Sequence, residues 1–165
     1  MANIGNHTFI DGVGDVRLHE GVVRMDLLAP NRALLKSLAQ HHTSGHLKVA
    51  PEHTVPSVLH HMRKPAGDAF EQVVQTHRAL SRKAGKHQFV VPYLMAAHPG
   101  CTLDDMVQLG RVLRSHNIKA EQCQIFTPTP GTAATVMYAT GLDPANGKEI
   151  FVERNPARKE LQKML

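Results

Sequence analysis

Short apolar runs alternate with helical patterns along most of the chain. The runs at 22–26, 46–49, 88–95 and 122–127 contain mainly β-branched and aliphatic residues between turn signals, which predicts strands. Between them, apolar residues recur at spacings of three and four, which predicts amphipathic helices. This order predicts an α/β fold, a partial (β/α) TIM-like barrel with about four parallel strands and flanking helices.

A polar loop follows the run at 46–49. Pro51 is expected to end strand pairing there, because proline has no backbone N–H group. Lys48, Glu52 and His53 are then expected near the carboxyl end of the strand, which is where α/β proteins place ligand contacts.

Capping and turn residues predict where the helices begin and end. Polar residues that can accept a backbone N–H bond stand before five helical patterns: Asn31, Thr54, Asp68, Thr102 with Asp105, and Asn155. Gly85 is expected to end the third of these helices. Pro92, inside an apolar run, indicates a bulge or an edge strand. A short strand is expected at 150–152.

Two further loops follow predicted strands and contain candidate ligand contacts. His98 and Gly100 follow the third strand, and Gly100 would let a ligand approach the backbone beside a helix N-terminus. The proline-rich segment Thr127–Gly131 follows the fourth strand. The residues around Gly100 would equally form an ordinary strand-to-helix turn without a ligand.

Composition narrows the function classes. The formal charge of +5 permits an anionic partner, but Lys and Arg are scattered among acids and aromatic residues are only 4%, so nucleic-acid binding is not indicated. Two cysteines, Cys101 and Cys123, are expected to be free thiols. The N-terminus has no signal-peptide pattern and no window has membrane-span length, which predicts a cytoplasmic protein.

A series of motifs makes the chain resemble a known family. The strings GVVRMDLL, LKVAPEHT, HPGCT, TPTPGT and YATGLDP occur in this order. Together they resemble the C-terminal portion of the radical S-adenosylmethionine (radical SAM) barrel of the YgiQ-like family. The resemblance covers roughly residues 22–165. It implies an N-terminal segment of unknown role at 1–21, a partial barrel at 22–142 and a C-terminal strand and helix extension at 143–165.

The resemblance also implies cofactors and their contacts. Radical SAM enzymes use S-adenosylmethionine and a [4Fe–4S] cluster that three cysteines of a Cys-x3-Cys-x2-Cys motif hold, and this chain has no such motif. We therefore expect a truncated form without autonomous radical chemistry, without assigned catalytic residues and without metal ligands. The residues that the resemblance places at the S-adenosylmethionine surface are Lys48, Glu52, His53, His98, Gly100, Thr127, Pro128, Thr129, Pro130 and Gly131.

Within that surface, the resemblance implies that Glu52 faces the ribose or amino-acid part of the cofactor and that the proline-rich loop helps to hold the adenine. Two other functions stay open. Histidines at strand ends, His53 and His98, would suit a metal-dependent barrel hydrolase. A non-catalytic interaction module is the other, and the unpaired sheet edges of a partial barrel would favour self-association.

Overall fold

The structure is a computed structural model that describes residues 23–164, so the expected N-terminal segment 1–21 lies outside the described residues. It shows a mixed α/β fold with one open parallel sheet. The strands are β1 (Val23–Arg24), β2 (His46–Glu52), β3 (Phe89–Ala96) and β4 (Gln122–Ile125).

The strands lie in the sheet in the order β1-β2-β3-β4. All three pairings are parallel, so strands that follow one another in sequence are also neighbours in space. Since β1 has two residues, three strands make up most of the sheet. The prediction of an α/β fold with a parallel sheet and flanking helices is confirmed.

Helices connect the strands and extend the chain beyond β4. Their bounds are α1 Met25–Leu28, α2 Arg32–Ser37, α3 Pro56–His61, α4 Ala69–Lys83, α5 Leu103–Ser115, α6 Ala133–Thr140 and α7 Pro156–Met164, with a π-helical turn at Leu38–His42. None of the helices in the described part of the chain is both long enough and apolar enough to cross a bilayer.

The core lies between the sheet and the helices that connect its strands. Leu47 and Val49 of β2 and Leu94 of β3 are almost completely buried in the same apolar cluster as Val73 and Val74 of α4. Each such side chain contributes about 1.5–3 kcal/mol relative to full exposure. These contacts hold the strands in register and so fix the positions of the strand ends.

A bulge between β2 and β3 accommodates two prolines. Val49 pairs with Pro92 and Glu52 pairs with Leu94, so β2 has one extra residue at this point. The prediction that Pro51 ends the strand is wrong, because β2 continues to Glu52. The register shift already interrupts the regular ladder, so the missing proline N–H groups cost little. Pro92 does mark a bulge, but β3 is a central strand and not an edge.

Two strand predictions differ from the structure. The first strand is limited to Val23–Arg24, because only these residues pair with β2 before α1 begins. The strand expected at 150–152 does not form. Residues 150–152 have no regular structure and follow a turn, in which the Asp143 N–H group donates to the Lys148 carbonyl and a single antiparallel bridge joins Leu142 and Glu149.

The helix caps agree with most of the predictions. Asn31 accepts the Leu34 N–H at 2.9 Å. Thr102 and Asp105 form a reciprocal capping box at the start of α5. The Asn155 side chain accepts the Ala157 N–H at 2.9 Å.

The other three termini are less regular. The prediction for Thr54 is wrong, because Val55 is the N-cap of α3 and makes no side-chain bond. Asp68 precedes α4, but its carboxylate accepts from the Gln72 side chain and caps no backbone N–H. Gly85 adopts the expected left-handed conformation after α4, with φ of 66°.

His77 of α4 is a polar residue in the core. Its exposed fraction is 0%, and neither ring nitrogen has a hydrogen-bond partner among the described residues. An unpaired buried polar group is costly, and burial accordingly lowers the pKa of His77 from its usual 6.5. Because the unfolded chain binds a proton at this site more readily, His77 opposes folding increasingly as the pH falls below about 6.5.

We predict that His77→Leu raises the free energy of unfolding by about 1–2 kcal/mol at pH 7, because it removes the unpaired nitrogens and keeps the volume nearly constant. The variant should also lose less stability in mild acid. Urea denaturation at pH 7 and pH 5 measures both effects. His87→Leu, at an exposed position, is the matched control. Lower stability of the His77 variant at both pH values would contradict the prediction.

Candidate functional site

The structure brings part of the predicted surface together at the carboxyl ends of the strands. Glu52 is the last residue of β2, and His53 follows it. His98 lies two residues after β3, and Gly100 lies in the same loop. Lys48 does not belong to this group. It lies in the middle of β2, opposite Val91, and its side chain is exposed.

The proline-rich segment also begins at a strand end. Thr127–Gly131 starts two residues after β4 ends at Ile125 and is exposed along its whole length. The Thr132 and Thr135 hydroxyls both donate to the Thr129 carbonyl, at 2.9 Å and 2.7 Å. These bonds join the segment to the start of α6.

Glu52 takes part in an ion pair at the end of β2. Its backbone has a φ of 60°, in the left-handed region that non-glycine residues rarely adopt. The Lys64 ammonium lies 3.0 Å from its carboxylate and donates to the Ala50 carbonyl at 3.1 Å. The pKa of Tyr93 is raised mainly by burial and secondarily by the Glu52 charge. Glu52 is therefore held by Lys64, which follows the end of α3, and its charge acts on the phenol of Tyr93 on β3.

His53 is a buried, neutral histidine. Its exposed fraction is 1%, and its Nδ1 atom accepts the Val55 N–H at 3.0 Å. Since Nδ1 accepts, Nε2 carries the proton, and it lies 3.7 Å from the Cys101 sulfur. Burial lowers the pKa of His53 to about 4, although the Asp105 carboxylate opposes the shift. Both ring nitrogens therefore have partners within the protein.

The Cys101 and His53 pair does not have the properties of a catalytic dyad. Burial and, secondarily, the Asp105 charge raise the pKa of the Cys101 thiol to about 12. A nucleophilic cysteine needs a base that can take its proton, but here the protonated nitrogen of His53 faces the sulfur. Cys123 is also a free thiol, and burial raises its pKa. Both cysteines are free, as predicted.

The loop at 97–101 is held by residues from the C-terminal segment. Gln162 of α7 accepts the Ala97 N–H at 2.8 Å and donates to the Cys101 carbonyl at 3.3 Å. The Gly100 N–H donates to the Phe151 carbonyl at 2.7 Å. Gln162 is 1% exposed, so its buried amide links the two ends of the loop by hydrogen bonds. Sequence reasoning missed it, because its partners are 65 and 61 residues away.

His98 is fixed by its own loop. Its Nδ1–H group donates to the Pro99 carbonyl at 2.8 Å, and its ring meets the edge of Phe126 at a centroid distance of 5.1 Å. Burial lowers the pKa of His98, while the Pro99 bond and the Glu52 charge oppose the shift. The neutral ring therefore leaves Nε2 as an acceptor near the strand ends.

The backbone of Gly100 is closely approached, as expected, but the approaching group is a side chain of the protein and not a ligand. The residue has a φ of 84°, and a Cβ atom placed there would collide with the His61 ring. The space that a ligand would need beside this backbone is thus taken by His61 of α3. Within residues 23–164, no group of three or more His, Cys, Asp and Glu side chains is arranged to hold a metal ion.

Comparison with known proteins gives a consistent set of relatives. No family model matches the chain. A relative from Geobacter sulfurreducens is 48% identical over 143 residues, which is 87% of this chain and 24% of the relative. A relative from Clostridium perfringens is 41% identical over 158 residues, with 94% and 24% coverage. One from Methanosarcina mazei is 44% identical over 143 residues, with 87% and 23% coverage.

All three relatives are named UPF0313 proteins. The chain spans about a quarter of the length of the curated relatives it matches.

We predict that His53 makes the chain sensitive to mild acid. Its pKa falls from about 6.5 in the unfolded chain to about 4 in the folded one, so the unfolded state binds more protons between these values. This contributes a loss of roughly 2 kcal/mol of unfolding free energy between pH 7 and pH 5. His53→Asn keeps an acceptor for the Val55 N–H and removes the titration. Between pH 7 and pH 5 the His53→Asn variant should therefore lose roughly 2 kcal/mol less unfolding free energy than the wild-type chain.

The measurement is urea denaturation at both pH values. His87→Asn, at an exposed histidine, should keep the wild-type difference. An unchanged difference in the His53 variant would contradict the assignment of a buried, neutral ring.

Proposed function

We propose that this chain forms the second half of a radical SAM barrel and supplies one side of its S-adenosylmethionine surface. The observation that carries the proposal is the strand order, in which four parallel strands follow one another without reversal. A doubly wound sheet reverses its order at a switch point, whereas a (β/α) barrel continues in one direction. The order therefore supports the barrel over the commonest alternative for an α/β sheet.

The positions of the predicted contacts support the same proposal. Barrel enzymes place their sites at the carboxyl ends of the strands. Glu52, His98 and the segment Thr127–Gly131 follow three adjacent strands and lie at this end of the sheet. The relatives extend well beyond the matched segment, since it covers 24% of the first of them. The remaining barrel strands would come from that additional length.

A [4Fe–4S] cluster does not fit the residues present. Such a cluster needs cysteine thiolates, three of them in a radical SAM site, and the sequence contains two cysteines. Cys101 is completely buried, and its thiol has a pKa of about 12. We therefore propose that this chain contributes cofactor contacts and no radical chemistry of its own.

The strand-end histidines support a metal-dependent hydrolase less well. The Nε2 atom of His98 has no hydrogen-bond partner among residues 23–164, which is the feature in favour of this alternative. His53 has both nitrogens engaged, by the Val55 N–H and by the Cys101 sulfur. A catalytic zinc usually takes three protein ligands, so His98 alone is a poor basis for one.

Two measurements on the full chain test the proposal. Anaerobic reconstitution with iron and sulfide should give no stable [4Fe–4S] absorption, and the wild-type spectrum should match that of a Cys101→Ser, Cys123→Ser variant. Titration with S-adenosylmethionine should shift the amide NMR signals of Glu52, His98, Thr127, Thr129 and Gly131. A cluster band in the wild-type chain alone would contradict the first part.

Glu52→Gln tests the assigned contact. It removes the carboxylate that the proposal places against the cofactor, and it should reduce the shifts caused by S-adenosylmethionine several-fold. Glu121→Gln, at an exposed position just before β4, should leave them unchanged. Shifts that are absent in the wild-type chain, or equal in the two variants, would contradict the cofactor surface.

A further inference from the structure

A second feature lies beside the strand ends, at the end of α3. It is a cleft of about 340 Å³, which we call the basic cleft, and its lining includes His60, His61, Arg63, Lys64, Met137 and Asp143. Four of these residues are basic and one is acidic. The exposed Pro65 adds apolar surface, and Met137, which is 2% exposed, adds a small apolar area. The cleft therefore combines cationic groups with an apolar wall.

The basic cleft is anchored to the carboxyl end of the sheet. The His61 ring packs on Gly100 in the loop after β3. The Lys64 ammonium donates to the Ala50 carbonyl of β2 at 3.1 Å. Because clefts at this edge are where α/β proteins bind ligands, the location favours a binding function over an accidental groove.

Most of the charges in the basic cleft already have partners. Lys64 is paired with Glu52 at 3.0 Å. Asp143 is 6% exposed, and its two oxygens accept from the Ala145 N–H at 2.9 Å and the Asn146 amide at 3.1 Å. Arg63, in contrast, forms no side-chain hydrogen bond or ion pair within residues 23–164. Its guanidinium is the charge that remains for a ligand.

The backbone of Arg63 has a conformation in which an arginine is uncommon. Its φ is 54°, in the left-handed region that follows many helices and that favours glycine. The Arg63 N–H donates to the His60 carbonyl and the Lys64 N–H donates to the Leu59 carbonyl, as in a glycine-terminated helix end. The chain thus carries an arginine where glycine would be unstrained.

We propose that the basic cleft binds a small organic phosphate monoester, with the Arg63 guanidinium on the phosphate and the apolar part of the ligand against Met137 and Pro65. A guanidinium binds two phosphate oxygens at once, and the imidazoles of His60 and His61 line the same cleft and offer further donors. The volume exceeds what a phosphate ion fills, which is why an organic ester is the fitting class.

This inference does not rest on the radical SAM proposal. The titration contains no S-adenosylmethionine, and Arg63 is not among the contacts assigned to that cofactor. Either proposal can therefore fail alone.

The experiment is an amide NMR titration of the full chain with phenyl phosphate at constant ionic strength. We expect saturable shifts of the Arg63, Lys64 and Ala145 signals with a Kd on the order of 1 mM, as suits a ligand of this size. Phenol supplies only the apolar ring, and inorganic phosphate supplies only the anion. Each should therefore bind at least several-fold more weakly than phenyl phosphate. Equal binding of phenol, or no saturable shift with phenyl phosphate, would overturn the proposal.

Arg63→Gly separates binding from folding. Glycine suits the left-handed backbone, so the melting temperature should rise by about 2–4 °C while the affinity for phenyl phosphate falls at least about tenfold. Arg63→Gln removes the charge without changing the backbone preference and should lose the same affinity. Wild-type affinity in either variant would overturn the proposal.

Arg32→Gln is the matched control for a general charge effect. Arg32 lines a separate cleft of about 220 Å³ together with Lys83 of α4, and its loss should leave the affinity unchanged. An equal loss of affinity in this control would show nonspecific attraction and would also overturn the proposal.

Discussion

The position of β3 between β2 and β4 is the constraint on which the rest of the structure depends. Parallel pairing on both sides fixes where β3 ends relative to its neighbours. The bulge at Val49–Glu52 then sets how far β2 reaches beyond that point. The Glu52 charge acts on His98 because of these registers, although 46 positions separate the two residues in the sequence. The strand ends form a single surface because all strands of the sheet run parallel and lie in the order of the sequence.

Hydrogen bonds from distant segments complete that surface. The loop after β3 has no regular structure, and the Gln162 amide and the Phe151 carbonyl supply the bonds that its backbone would otherwise lack. His53 and Cys101, the last residue of that loop, form a neutral, desolvated pair. Because both are buried and face each other, this histidine and this thiol are structural.

Much of this arrangement could be predicted from local sequence. The apolar runs located all four strands, and local rules located the Asn31 cap, the Thr102 capping box and the left-handed Gly85. Each of these depends on residues within a few positions of one another. The predictions for Pro51 and Thr54 are wrong. Pairing with β3 extends β2 past Pro51, and α3 has Val55 as its N-cap.

The unpredicted features are those that depend on distant partners. The Gln162 amide bonds to the backbone of Ala97 and Cys101, which are more than 60 residues away in sequence. The contact of His61 with Gly100 and the pairing of Glu52 with Lys64 arise only when α3 packs beside the strand ends. These are also the contacts that define the basic cleft, so a local pattern could suggest Gly100 as a close approach but could not identify its neighbour.

The most direct test of the whole account is the order and direction of the strands in solution. Nuclear Overhauser contacts between backbone protons report on neighbouring strands about 4.8 Å apart. The account predicts parallel contacts from Leu47 to Val90 and from Leu94 to Cys123 in the same sample. Antiparallel contacts, or a β4 strand that shows no contact with β3, would contradict it.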